Sequence, residues 1–233
     1  MKEKYLNIIK LIISFLLFFF LSTIIRLILK RFGIDTSMFD YQDYGYFETL
    51  LELIFAVIIL LFYRKIFTKD LLNFKNSFKG FMNEVFRLFA IFLAIKIASA
   101  LLTNFIGMMI GIDIGESENQ STIIKITKEA PIMMLISTSI LAPIVEEGIF
   151  RLGLRKVVNN NYLFIILSGL IFGLMHIFPT DLLMVEALVY SITYVTMGIY
   201  LAYIYVETDN IWINILVHGI NNLISMIAIL ALY

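Results

Sequence analysis

The chain contains no cysteine, which removes disulfides, thiolate nucleophiles and cysteine-based metal sites together. Charge is scarce: Asp, Glu, Lys and Arg make up 15% of 233 residues, against about 25% in an ordinary soluble domain. The 18 basic and 18 acidic residues cancel, so no bulk attraction to nucleic acid exists. Proline occurs three times, always in the second half. No Pro- or Ser-rich linker and no internal repeat divides the chain, so residues 1–233 are expected to form a single integral membrane domain. Histidine occurs only twice, as His176 and His218, each inside an apolar stretch.

What is present is hydrophobic: 61% of residues, with a mean hydropathy of +0.92. The apolar runs are long and uninterrupted, which indicates an all-α, polytopic transmembrane bundle and excludes a β-barrel pattern. With about 20 residues needed per crossing, seven spans are expected at 6–29, 47–63, 82–111, 131–156, 162–178, 183–206 and 210–231. The long third span offers a break near Gly107 and Gly111, and the segments 30–46, 64–81 and 112–130 read as the longer loops. The N-terminal apolar run continues past Phe20 without a small-residue cleavage site, so it is expected to be a retained span rather than a signal peptide. Arg64, Lys65, Lys69, Lys75 and Lys79 assign the 64–81 loop to the cytoplasm, as do Arg155 and Lys156 for their loop and Lys2 and Lys4 for the N-terminus. Arg26, Lys30 and Arg31 run against that orientation.

Ionised groups at mid-span cost roughly 2.5–3.5 kcal/mol when they face lipid, so they persist where they face a packed or wet interior. Three spans carry such groups: Glu146, Glu147 and Arg151; Phe172 and His176; Asn214, His218, Asn222 and Ser225. Residues four apart share a helix face, so Arg151 is expected to neutralise Glu147, leaving Glu146, about 100° round the helix, to point elsewhere. At 1.5 Å per residue from the turns near 158–160 and 207–209, Glu146, His176 and His218 lie roughly 18, 24 and 15 Å deep. They can therefore meet. Pro131 suits a first helical turn, Pro143 should kink the fourth span, and Pro179 should end the fifth. Gly169 and Gly173 should admit a close neighbour.

Chemically, a carboxylate beside an imidazole can take a proton from water. Glu146 is the candidate base, with His176 as its partner, and His218 and Asn222 are donors suited to an oxyanion. Such a set suggests hydrolysis of an amide with activated water. Taken singly, Asn222 reads equally as an interhelical hydrogen-bonding residue and Glu147–Arg151 as a structural pair. Glu186, Tyr190 and Tyr194 read as an interfacial face.

Glu-Glu-x-x-x-Arg, then Phe-x-x-x-His, then His-x-x-x-Asn on successive apolar segments resembles the CPBP family (CAAX prenyl proteases and bacteriocin-processing proteins, also called Abi). The resemblance covers about 131–225 and rests on Glu146, Glu147, Arg151, Phe172, His176, His218 and Asn222. It implies a glutamate-dependent intramembrane endopeptidase that needs no metal or other cofactor, with Glu146 and His176 activating water and His218 and Asn222 binding the oxyanion. Arg151 and Phe172 would support the site. The implied partners are a peptide or membrane-protein substrate and the lipid bilayer, in a bacterial cytoplasmic membrane. The alternative is a non-catalytic immunity or scaffold protein that binds a bacteriocin-like peptide without cutting it.

Overall fold

In the computed structural model, residues 2–112, 118–177 and 184–232 are described, and among them every regular element is helical. These residues form, in order, α1 Lys2–Arg31, α2 Tyr41–Phe62, α3 Arg64–Asn76, α4 Phe78–Ile110, α5 Glu118–Glu129, α6 Pro131–Gly153, α7 Asn161–Met175, α8 Met184–Thr208 and α9 Ile211–Leu232. Six of these helices are long and apolar enough to cross a membrane, and α7 is a shorter apolar helix. The chain is a multi-pass membrane protein of about seven spans.

Local sequence explains most of the boundaries. Asp40 caps α2 by accepting from Asp43 N at 2.8 Å, and Asn160 caps α7 by accepting from Leu163 N at 2.9 Å. α4 runs unbroken through Gly107 and stops at Gly111, whose φ of 73° is left-handed. The break expected at Gly107 is therefore absent. Ile112 N instead returns to the Gly107 carbonyl at 2.9 Å.

Two segments expected as loops are helices. Both α3 and α5 are too polar to span and carry their apolar residues on one side only, so their hydropathy hid them. α3 lies against the start of α9. Ile211 N donates to Asp70 Oδ2 at 3.0 Å, so an aspartate from α3 caps α9 from a distance. Burial raises the Asp70 pKa above the ordinary carboxylate value, and the Ile211 bond pulls it back. Trp212 Nε1 donates to the Phe67 carbonyl at 2.9 Å, with the two rings edge-on at 5.5 Å.

The core is built mainly from the second half of the chain, with α2 and α4 adding Ile59, Val85, Leu88 and Phe92. α8 buries the largest share of its apolar window and α1 the smallest. Gly169 and Gly173 do admit a close neighbour: a Cβ at Gly173 would lie 2.5 Å from Val195 Cα, and one at Gly169 would lie 2.7 Å from Ile199 N. α7 and α8 consequently pack backbone to backbone and carry Phe172 and His176 as one unit with Tyr194.

Candidate active site

The helix that carries both glutamates is not a regular α-helix. Within α6, Ser137–Leu141 and Gly148–Gly153 are π turns, each equivalent to one extra residue in the helix. The first sits directly before Pro143. Ala142 N donates to Ser137 O, five residues back, and Thr138 O is next in that register. Pro143 has no N–H to give it. Asn222 supplies the missing donor, with Nδ2 2.9 Å from Thr138 O. Beside it Gly219 lets α9 approach, since a Cβ there would lie 2.6 Å from the Ser139 carbonyl. The carbonyl that Pro143 strands is thus served by a side-chain amide from α9, beside a widened turn.

The division of the two glutamates follows the helix angle. Glu147 is fully buried with Arg151, whose Nε lies 2.9 Å from Glu147 Oε2. Asn214 Nδ2 donates to the same oxygen at 3.2 Å, and His218 Nδ1 donates to Oε1 at 2.9 Å. Ser168 holds the far side of the guanidinium at 3.0 Å, and Arg151 stacks over the Phe172 ring at 5.1 Å. A buried ion pair needs such partners, because each charge has left water, and Arg151 Nη2 still has no hydrogen-bond partner among the described residues.

Glu146 faces the other way. Its Oε2 lies 3.9 Å from His176 Nε2 and 3.8 Å from His218 Nε2, and that oxygen has no hydrogen-bond partner among the described residues. The structure therefore brings Glu146, His176 and His218 together. The Glu146 and His176 side chains are 15% and 26% exposed while His218 is 4% exposed, so the cluster opens on the His176 side.

Both imidazoles are held in one tautomer. His176 Nδ1 lies 2.8 Å from the Phe172 carbonyl, which can only accept, so Nδ1 carries the hydrogen. His218 Nδ1 donates to the Glu147 carboxylate paired with Arg151. In the neutral rings both Nε2 lone pairs then point at Glu146 Oε2. Three acceptors converge on one point, and a proton, a donor such as water or a cation would satisfy them.

Tyr194, expected at an interface, stacks on His176 at 5.0 Å with an interplanar angle of 19°. Phe172 touches both histidines, at 4.4 Å from His176 and 5.8 Å from His218. Asn222 does not donate to the Glu146 cluster; one amide hydrogen goes to Thr138 O, and its oxygen accepts from Asn221 Nδ2 at 3.0 Å. Asn221 Oδ1 in turn accepts from Lys96 Nζ at 2.8 Å. Lys96 escaped the sequence reading, although a lysine deep in the third apolar span was the signal for it. Thr138 and Ser168 carried no such signal. Pro179 lies outside the described residues. Among those residues, no group of three His, Asp or Glu is arranged to hold a metal ion.

Residues 128–224, which hold this whole cluster except Lys96, match the family described as type II CAAX prenyl endopeptidase Rce1-like. The likeness to the Rce1-like family lies in that segment. Among curated relatives, the chain is 34% identical over 110 residues to the "Putative membrane peptidase YdiL" of Bacillus subtilis, covering 46% of this chain and 41% of the relative. It is 28% identical over 205 residues to the UPF0177 protein YvdC of Lactococcus lactis, covering 84% and 72%. A Mycoplasma capricolum protein is 31% identical over 176 residues, covering 68% and 49%. The matches thus span less than half the length of the Bacillus and Mycoplasma proteins. No solved structure matches.

Proposed function

We propose that this protein is an intramembrane peptidase that hydrolyses a peptide bond with water activated by Glu146. The observation that carries the reading is the position of Glu146 Oε2, 3.9 and 3.8 Å from two imidazole nitrogens whose other nitrogens are committed elsewhere. Those separations are too long for direct hydrogen bonds but suit a water bonded at about 2.8 Å to two of the three atoms. The Rce1-like segment and the peptidase name of the Bacillus relative support the same reaction class.

In the proposed mechanism the Glu146 carboxylate takes a proton as water attacks the scissile carbonyl, with His176 orienting that water. The carbonyl oxygen becomes an oxyanion. His218, its ring oriented by the Glu147 carboxylate at Nδ1, is placed to donate to it from Nε2 when both ring nitrogens carry hydrogen. Asn222 offers its second amide hydrogen, since the first is held by Thr138 O. Collapse of the intermediate breaks the C–N bond, and the protonated carboxyl of Glu146 passes its proton to the leaving amine. The balance is one water consumed, with a carboxylic acid and an amine formed.

The substrate on this reading is a peptide or membrane-protein segment that reaches the Glu146 cluster from the His176 side. The protein would work in a bacterial cytoplasmic membrane with its N-terminus in the cytoplasm. The test is a membrane-peptidome comparison between cells carrying wild-type protein and Glu146→Ala. Cleavage products that vanish in the variant support the proposal and name the substrate. Products unchanged in a folded, inserted Glu146→Ala protein sink it.

A further inference from the structure

Four cations from three parts of the chain meet at one corner of the bundle, away from the glutamate–histidine cluster. Lys10 of α1, Arg64 and Lys65 at the start of α3, and Lys156 just after α6 line a cavity of about 290 Å³. Among the described residues no acid lines it, and none of the four has a carboxylate partner. Lys69, one turn along α3, is different: it pairs with Asp209 at 3.4 Å. Lys10 is fixed in place by the Phe62 carbonyl at 2.8 Å, where α2 ends. α3 begins with no side-chain cap, so its positive helix end adds to the same field.

The walls of this corner are of two kinds. Leu61 and Ile66 line the cavity beside the cations, and Leu61 is 62% exposed. The adjoining face of α1 is apolar and exposed at Leu6 and Ile9. Size also discriminates, because whole small-molecule ligands occupy about 300–1,000 Å³. The cavity suits a headgroup whose tails lie outside it.

We propose that this corner binds the phosphate of an anionic phospholipid, with the acyl chains lying along the exposed faces of α1 and α2. Juxtamembrane cation clusters attract anionic lipid headgroups, and the four charges here converge from separate elements rather than lying along one solvated stretch. Inorganic phosphate shares the charge chemistry but has no use for the apolar wall.

The site can be tested without any peptidase assay. Trp212 is the chain's one tryptophan and packs on α3, so its fluorescence reports on that helix. The full chain in phosphatidylcholine nanodiscs is titrated with dioctanoyl phosphatidylglycerol, and retained lipid is counted by native mass spectrometry. Saturable binding is expected, weakened about ten-fold or more by Lys65→Gln with Lys156→Gln. The charge-matched control, Lys30→Gln with Arg31→Gln at the other end of α1, should bind as wild type. Lys65→Arg with Lys156→Arg should also bind as wild type, which separates lost charge from lost fold. Equal weakening in both glutamine pairs would reduce the effect to net charge and overturn the proposal. Equal retention of dioctanoyl phosphatidylcholine would overturn it as well. Displacement of the lipid by an equal concentration of inorganic phosphate would reassign the corner to free phosphate.

Discussion

Asn222 fills a gap that Pro143 makes: its amide reaches Thr138 O at 2.9 Å, the carbonyl that a proline, lacking an N–H, cannot serve. One side chain thereby fixes the position of α9 relative to the helix that carries Glu146. An unsatisfied buried carbonyl costs about 1–3 kcal/mol, and interhelical bonds in membranes are worth about 0.6–1.7 kcal/mol. Asn222→Ala should lower stability in detergent by about 1 kcal/mol on that basis. In a Pro143→Ala background the same change should be nearly neutral, because the introduced alanine brings its own N–H. Thermal melting of the four proteins in the cycle decides this, and equal losses in both backgrounds would refute the gap-filling role.

The two adjacent glutamates should separate by phenotype. Glu146→Gln is expected to melt like wild type and to lose cleavage. Glu147→Gln or Arg151→Met leaves a buried charge alone and should destabilise by about 3–5 kcal/mol. Detergent melting beside a cleavage assay checks both, and a destabilised Glu146→Gln would contradict the assignment.

Tyr194 presents a flat ring to His176 and is expected to act as a positioning residue. Tyr194→Phe keeps that ring and should keep activity. Tyr194→Leu should lower kcat several-fold with KM little changed and alter the pH–rate profile, since His176 would lose its wall. A Leu variant that behaves like the Phe variant would rule this out.

Lys96 ends a chain of hydrogen bonds through Asn221 to Asn222. A cation at its head should make the Asn222 amide a stronger donor. Lys96→Met is expected to reduce kcat more than KM, and Lys96→Arg to recover most of it. A change confined to KM would point instead to a substrate contact.

The donor geometry around Glu146 needs no metal for the proposed chemistry. Cleavage by purified protein should survive dialysis against a strong chelator, with no zinc by elemental analysis. Loss of activity that zinc restores would overturn the water-activation roles given to Glu146 and His176.

Fold class was legible because hydrocarbon length sets a period that composition alone reveals, so the apolar runs marked the spans to within a few residues. α3 and α5 escaped because amphipathic helices at an interface have the composition of loops. The Glu147–Arg151 pair was legible from its four-residue spacing, and Glu146 from the 100° offset. Tyr194 was not, since a ring on a polar-aromatic stripe has the same spacing whether it meets lipid headgroups or an imidazole. The Asn222–Thr138 bond depends on a π turn, and no local residue type encodes that turn unaided; the signal was Pro143, read for its kink rather than for the carbonyl it strands.

The two π turns of α6 bracket the glutamate pair, and each is in effect a one-residue insertion that a widened turn absorbs, so the residues beyond it keep the direction they would have in a regular helix one residue shorter. Deleting one residue from Ser137–Leu141 should therefore yield a more regular helix that leaves Glu146 on the same face, toward both histidines. In this segment irregularity holds a residue in reserve, so a single-residue deletion should be tolerated better here than in the longer, more uniform α1, where it would turn every later residue by about 100°.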